Sequence, residues 1–242
     1  MNDLDAPLYI QISNRLRQNI QTGQLKVGDR LPAEQRLAEQ FSVNRHTLRQ
    51  AIALLRQDGI LRVERGRGTF VTTAPIRYPI GKKVRYNQML KAQGHSVRSE
   101  LVRSLEIAAD ESIAKGLSIE VGAPVALLER VSFVDDSPIS VGTGHFPLSL
   151  FPDLLSANSI EQLKNMGSIS SWLSDRYSVD HIRKQTSVSA RLVQPKDANH
   201  LALPLNQPIL LAESINVDQH SRVIEYGIAR FRGDRMELVF EN

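Results

Sequence analysis

The stretch Leu31–Val71, LPAEQRLAEQFSVNRHTLRQAIALLRQDGILRVERGRGTFV, decides how this chain is read. Pro32 suits a first helical position, and Glu34 places negative charge in a first turn, where the helix dipole favours it. Leu37, Ala38 and Phe41 then face inward, and Ser42 and Val43 make a very short turn. Asn44 is a good N-cap for a second helix. In that helix Leu48, Ala51, Ile52 and Leu55 fall at i, i+3, i+4 and i+7, which defines one buried face. At about 100° per residue, Arg45, His46 and Arg49 occupy a neighbouring flank near the helix N-terminus. After Gly59 the pattern turns to alternation: two short strands flank a tip of Arg65, Gly66, Arg67 and Gly68. Upstream, Leu8, Ile12, Leu16 and Ile20 repeat every four residues, so a first helix is expected over Pro7–Gln21, ended by Gly23. Three helices followed by a basic hairpin form a winged helix-turn-helix.

That layout carries a chemistry. The second helix of such a unit reads base edges from its N-terminal end. Arg45 and Arg49 are the residue type that pairs bidentately with guanine, while Thr47 suits a phosphate or a thymine methyl. Arg65 and Arg67 at the wing tip suit phosphates or a narrow minor groove. Taken alone, a polar flank on an amphipathic helix is an ordinary solvated face. The preceding helix and the short turn are what favour DNA. The wing's G-x-G is not a dinucleotide fingerprint, because a third glycine is missing and a strand follows where a helix should begin.

Charge follows the same division. Residues 1–75 carry 11 Lys+Arg against 7 Asp+Glu, the whole of the net +4, and the remaining 19 and 19 balance. A basic head suits a polyanion, since each cation placed on a phosphate releases a counterion. With 242 residues and 41% hydrophobic content, two domains with real cores are expected. The absence of cysteine excludes disulfides and thiolate zinc. MNDLDAPLYIQ has no signal-peptide pattern and no apolar run approaches a membrane span, so a soluble cytoplasmic protein with no membrane partner is expected. G-x-S-x-G, H-E-x-x-H and a phosphate-binding G-x-x-x-x-G-K are all missing, so neither catalytic residues, a metal nor a cofactor is expected.

The remainder reads as a second domain. Residues 1–73 are expected to be the head, 74–83 a linker with two prolines and a glycine, and 84–242 the body. The body holds a near-repeat: Leu117–Phe146 aligns with Leu201–Phe231 at an offset of 84, which becomes 85 after the turn. Pro124 matches Pro208 and Glu129 matches Glu213. Each copy reads as a short helix, a strand, a turn and a returning strand. One antiparallel sheet with internal pseudo-symmetry is therefore expected, covered by helices around Leu148–Leu155, Ile160–Asn165 and Ile169–Tyr177. A cleft between its halves is a natural place for a small ligand. Trp172 and Tyr177 are expected in the core.

The landmarks LPAE, LAEQF-x-V, R-x-T-x-R at Arg45–Arg49, QDGIL and GRGTFV resemble, in order and spacing, the head of the GntR family of bacterial transcription regulators. That family usually carries Arg where this chain has Gln35 and Glu where it has Arg36. Arg36, about 100° around the helix, is the candidate to replace the usual arginine. From about Val84 to Glu241 the body resembles the UTRA ligand-binding domain of the HutC subfamily, through Gly94…Ser99, the LERV strand, the His145-Phe-Pro corner, the Ser168 helix and an ending at Arg235. The resemblance implies an α+β fold: a winged helix-turn-helix plus an antiparallel-sheet, chorismate-lyase-like body. It further implies a homodimer on double-stranded operator DNA and a small anionic effector held by Ser99, Arg130, His145, Ser168 and Glu225. The physics agrees, since forked guanidinium and hydroxyl donors suit a phosphate or phosphonate. Equally, Ser168 is an obvious N-cap, and His145 fits a packed corner. Ser132 stands where sugar-phosphate sensors have a second arginine, and Phe231 where they tend to have Tyr. LPAEQ-x-LA, VNRHTLR and Tyr78-Pro79 resemble the branch that regulates phosphonate metabolism. A repressor of phosphonate uptake or degradation genes is thus expected. The alternatives are a sugar-phosphate or other metabolite sensor and, remotely, a lyase-like enzyme.

Overall fold

The computed structural model describes residues 6–240 other than 65, 73–74, 84–85 and 93. The chain divides into two compact units, Met1–Pro75 and Ile76–Asn242.

In the first unit, helices α1 (Leu8–Gln21), α2 (Glu34–Gln40) and α3 (Arg45–Gln57) precede a hairpin of β1 (Leu61–Glu64) and β2 (Gly68–Val71). The Asn44 side chain caps α3 by accepting from the Thr47 backbone N–H at 2.8 Å. Ile12 and Leu16 of α1, Leu37 and Ala38 of α2, and Leu48, Ala51, Ile52 and Leu55 of α3 form one core, closed below by Leu61 and Val71. Pro32 is not the first helical residue. Ala33 occupies the N-cap position and α2 opens at Glu34, because residues 28–31 are tied to β2, Leu31 donating to the Thr69 carbonyl at 2.8 Å. Gly68 (φ 120°) is required there: a Cβ on it would lie 2.6 Å from Arg30 Nε. Leu48 and Leu55 are fully buried. Leu48→Ala should cost about 2–5 kcal/mol of head stability through the cavity it leaves. The expected readout is loss of hydrogen-exchange protection in α1–α3 of the full chain, with body amides unchanged.

The second unit is built on a six-stranded antiparallel sheet in the order β4-β5-β6-β9-β8-β7. Its strands are β4 (Val97–Ala108), β5 (Pro124–Val134), β6 (Ser137–Pro147), β7 (Ile182–Leu192), β8 (Pro208–Val217) and β9 (Val223–Arg232). Helices α5 (Glu111–Leu117) and α8 (Pro195–Leu201) pack on one face. Helices α6 (Ala157–Met166) and α7 (Ile169–Tyr177) pack on the other, beside the short α4 (Tyr86–Ala92). The near-repeat is the symmetry of this sheet: α5-β5-β6 corresponds to α8-β8-β9, and β6 pairs with β9 at the centre. Trp172 is buried, with its ring 5.4 Å from Tyr177 and its Nε1 donating to Gln162.

Two expectations are corrected. Leu148–Leu155 forms successive turns and no helix; Phe151 and Leu154 still enter the core. The stretch 74–83 is not a free linker. Ile76–Pro79 is a strand, β3, pairing in parallel with β10 (Met236–Val239), and Lys83 bridges to Ile182. Ile76 and Tyr78 are buried in the body's core, so the apparent absence of period conceals a two-in-four inward pattern.

Candidate functional sites of the head and body

On the head, α3 presents Arg45, His46 and Arg49 to solvent while its leucines and isoleucine are buried. Thr47 is half-buried, its hydroxyl donating to Asn44 Oδ1 at 3.0 Å. The start of α2 braces both arginines. Arg45 Nη2 donates to Gln35 Oε1 at 2.6 Å, and Arg49 Nε pairs with Glu34 Oε2 at 2.8 Å. Gln35, the departure from the family pattern, is thus a support for the adjacent helix. Arg36 points to solvent on α2. On the wing, Gly66 (φ 78°) and Gly68 make the turn, and Arg67 pairs with Glu64 at 2.6 Å while its guanidinium lies 5.9 Å from the Phe70 ring. Arg65 lies outside the described residues.

The body contains a cavity of about 580 Å³ between the sheet and α7. The strand register explains its walls. Ser99 lies opposite Ser132, Arg130 opposite Gly142, Gly142 opposite Ala229, Gly144 opposite Gly227, and Asn216 opposite Glu225, so these positions share one face. Gly142, Gly144 and Gly227 leave the floor bare of side chains. A Cβ at Gly144 would sit 2.6 Å from Glu225 Oε1 and 2.6 Å from the Phe146 ring, so this glycine gives Glu225 its room.

Four of the five expected pocket residues, Ser99, Arg130, Ser168 and Glu225, line this cavity. Ser168 does two things: its hydroxyl caps α7 by accepting from the Ser171 N–H at 3.3 Å, and it stands at the cavity wall with Ser170 and Ser171. The fifth, His145, is corrected. It lies on the odd-numbered face of β6, beneath α5, buried and stacked on Tyr226 at 5.7 Å, its Nδ1 bonded to the Tyr226 carbonyl oxygen. Period-two alternation separates it from Gly144 and leaves it packed at the corner.

The electrostatics centre on Glu225. Its Oε2 meets His181 Nε2 and Asn216 Nδ2, each at 2.6 Å, and His181 Nδ1 meets Ser170 Oγ at 2.7 Å. Burial pushes the Glu225 carboxyl up, but His181, Asn216 and the Arg130 charge outweigh it and hold the group below its ordinary value of 4.5. Burial works against the Arg130 charge, and Glu225 partly restores it; a guanidinium stays protonated there. Burial likewise holds His145 below its ordinary 6.5, despite the opposing Tyr226 carbonyl and Glu225. Glu225 and His145 contribute stability that is fully present above their unfolded values. That stability is lost as the pH falls through the folded ones. Body stability should therefore begin to drop below about pH 6.5 and drop further below about 4.5. Thermal melts between pH 8 and 3 test this; in His145→Gln the first decline should vanish.

His181, Arg183, Thr186, Ser214 and Asn216 also line the cavity and were not found in the sequence. The repeat held part of the signal: the offset of 84 carries Arg130 onto Ser214 and Ser132 onto Asn216, and the offset of 85 carries Ser140 onto Glu225. Among the described residues no group of three or more His, Cys, Asp or Glu is placed to hold a metal, and no helix is long and apolar enough to cross a membrane.

A winged helix-turn-helix followed by a sheet body with a ligand-sized cavity is the build of a transcription regulator with its own sensor. Residues 8–71 match the family model for bacterial regulatory proteins of the gntR family, and residues 92–237 match the UTRA domain. The chain belongs to the GntR family, within the group whose body is a UTRA domain. It is similar to the probable transcriptional regulator PhnF of Escherichia coli K12, 33% identical over 97% of this chain and 95% of that protein. It is also similar to the HTH-type transcriptional repressor PhnF of Mycolicibacterium smegmatis, 35% identical over 88% of this chain and 84% of that one. The crystal structure of PhnF from Mycobacterium smegmatis superposes with a TM-score of 0.69 at 31% identity, covering 98% of this chain and 99% of that one. The protein is a transcription regulator and not an enzyme.

Proposed function

We propose that this regulator is a homodimeric repressor of genes for phosphonate uptake or degradation, released from a palindromic operator by a small anionic metabolite. In this reading Arg45, His46, Thr47 and Arg49 meet base edges and phosphates in the major groove. Arg36 and the wing residues Arg65, Gly66, Arg67 and Gly68 meet the flanking backbone. Ser99, Arg130, Ser168 and Glu225 hold the effector. The observation that carries the proposal is the cavity whose walls bring Arg130, Ser99 and the serine-rich start of α7 into one space. Guanidinium and hydroxyl donors, with backbone N–H groups at a helix start, suit a tetrahedral anion.

Ser132 and Phe231 both line that cavity, so the two departures from the sugar-phosphate pattern fall where an effector would be felt. This favours a phosphonate over a sugar phosphate. The test is fluorescence anisotropy on duplex DNA from upstream of the protein's own gene. Nanomolar binding, half-site symmetry in a footprint and displacement by an alkylphosphonate are expected. Binding with no preference over unrelated duplex, or displacement by glucosamine 6-phosphate and by no phosphonate, would contradict the proposal.

A further inference from the structure

Two oxygen acceptors stand on paired positions of β8 and β9 in the cavity wall, at Asn216 and Glu225. Asn216 is 4% exposed and lines the cavity. Its amide donates to Glu225 Oε2, which fixes the orientation of the group and leaves its Oδ1 as the acceptor. That Oδ1 is buried and has no hydrogen-bond partner. Beside it, Glu225 spends Oε2 on His181 and Asn216, while Oε1 reaches over the bare floor, within 2.6 Å of where a Gly144 side chain would begin. A buried acceptor left unmet is costly, and such groups in native structures ordinarily find partners.

We propose that this acceptor corner, Asn216 Oδ1 with Glu225 Oε1, is a recognition site for a primary ammonium group, so that the effector is a short zwitterion carrying a tetrahedral anion at one end and an amine at the other. The inference rests on the reading of the cavity as the effector site. Two arguments select an ammonium over a hydroxyl. An ammonium brings three donors and no acceptor, enough for both oxygens, whereas a hydroxyl brings a single donor for two acceptors. Charge balance points the same way. His181, Asn216 and the Arg130 charge keep Glu225 ionised. An anion bound at Arg130 takes over the last of these partners, and a ligand cation beside Glu225 restores the balance in a poorly hydrated space.

The test is isothermal titration of the full-length protein with three ligands sharing one anion: 2-aminoethylphosphonate, 2-hydroxyethylphosphonate and propylphosphonate. The amine is expected to bind at least about tenfold tighter than either analogue. The ester pair, phosphoethanolamine against propyl phosphate, separates a phosphate from a phosphonate source. A preference for the amine in either pair supports the inference. In Glu225→Gln and in Asn216→Leu the preference should shrink to about threefold or less, while Arg130→Ala should weaken every ligand. Equal binding of amine, hydroxyl and methyl ligands to the wild-type protein would overturn the ammonium site and leave the anion cavity standing. Binding of none of them would overturn both. An undiminished amine preference in both folded variants would show that other groups recognise the amine.

Discussion

Replacing Arg130 with alanine is expected to weaken effector binding by about 100-fold or more while leaving operator affinity in the absence of effector unchanged. Arg130 projects from the middle of β5 onto the bare cavity floor, one strand from Gly142. Hydrogen bonds to charged groups contribute about 1.5–3 kcal/mol, and a guanidinium offers more than one. Truncation also removes a charge that helps keep Glu225 ionised. Lysine at the same position would retain charge without the forked donors, and only partial recovery is expected. The measurements are effector titration by calorimetry and anisotropy on operator DNA. A variant that still binds the effector as the wild type does would remove Arg130 from the site.

The second large effect lies on the head. Arg49→Ala should cost about 1–3 kcal/mol of operator affinity per head and relax preference at one base position, if the side chain reads a guanine. Arg49 is exposed and already oriented by Glu34, and Arg45 by Gln35, so each arginine is held in a braced position on the exposed flank of α3. The Arg49–Glu34 ion pair and the Arg45–Gln35 hydrogen bond are exposed and contribute little to stability. The variant should therefore fold normally, and a binding loss can be assigned to the interface. Arg67→Ala is different in kind: it should weaken all sequences alike and flatten the dependence on salt. Unchanged affinity and preference in Arg49→Ala would place the recognition surface elsewhere.

The head was legible because its signals are local. Helical period, an Asn cap and glycines at a turn act within a few residues, and α3 runs from the position that Asn44 marks. Gln35 was visible only as a departure. Its partner Arg45 lies ten residues away on another helix, and no periodicity announces that contact. In the body the repeat revealed the sheet and its symmetry. The same pattern misplaced the connecting segments. β3 pairs with β10 across some 160 residues of chain, and nothing near Ile76 signals a partner at Met236.

The cavity was half legible for a related reason. Arg130, Ser99, Ser168 and Glu225 were nominated by resemblance, and alternation along β6 places His145 on the opposite face. His181 and Asn216 approach Glu225 from β-strand neighbourhoods 44 and 9 residues away, through side chains alone. Their chemistry is ordinary in sequence and becomes specific only when the fold supplies the third partner.

In the proposed regulator, operator and effector compete for alternative states of one molecule. Linkage requires each to weaken the other by the same factor. The most direct test titrates 2-aminoethylphosphonate into the protein alone and into the protein saturated with its operator. The effector should bind more weakly to the operator-bound protein, by the factor by which the effector weakens operator binding. Equal effector affinity in the two titrations would contradict the account.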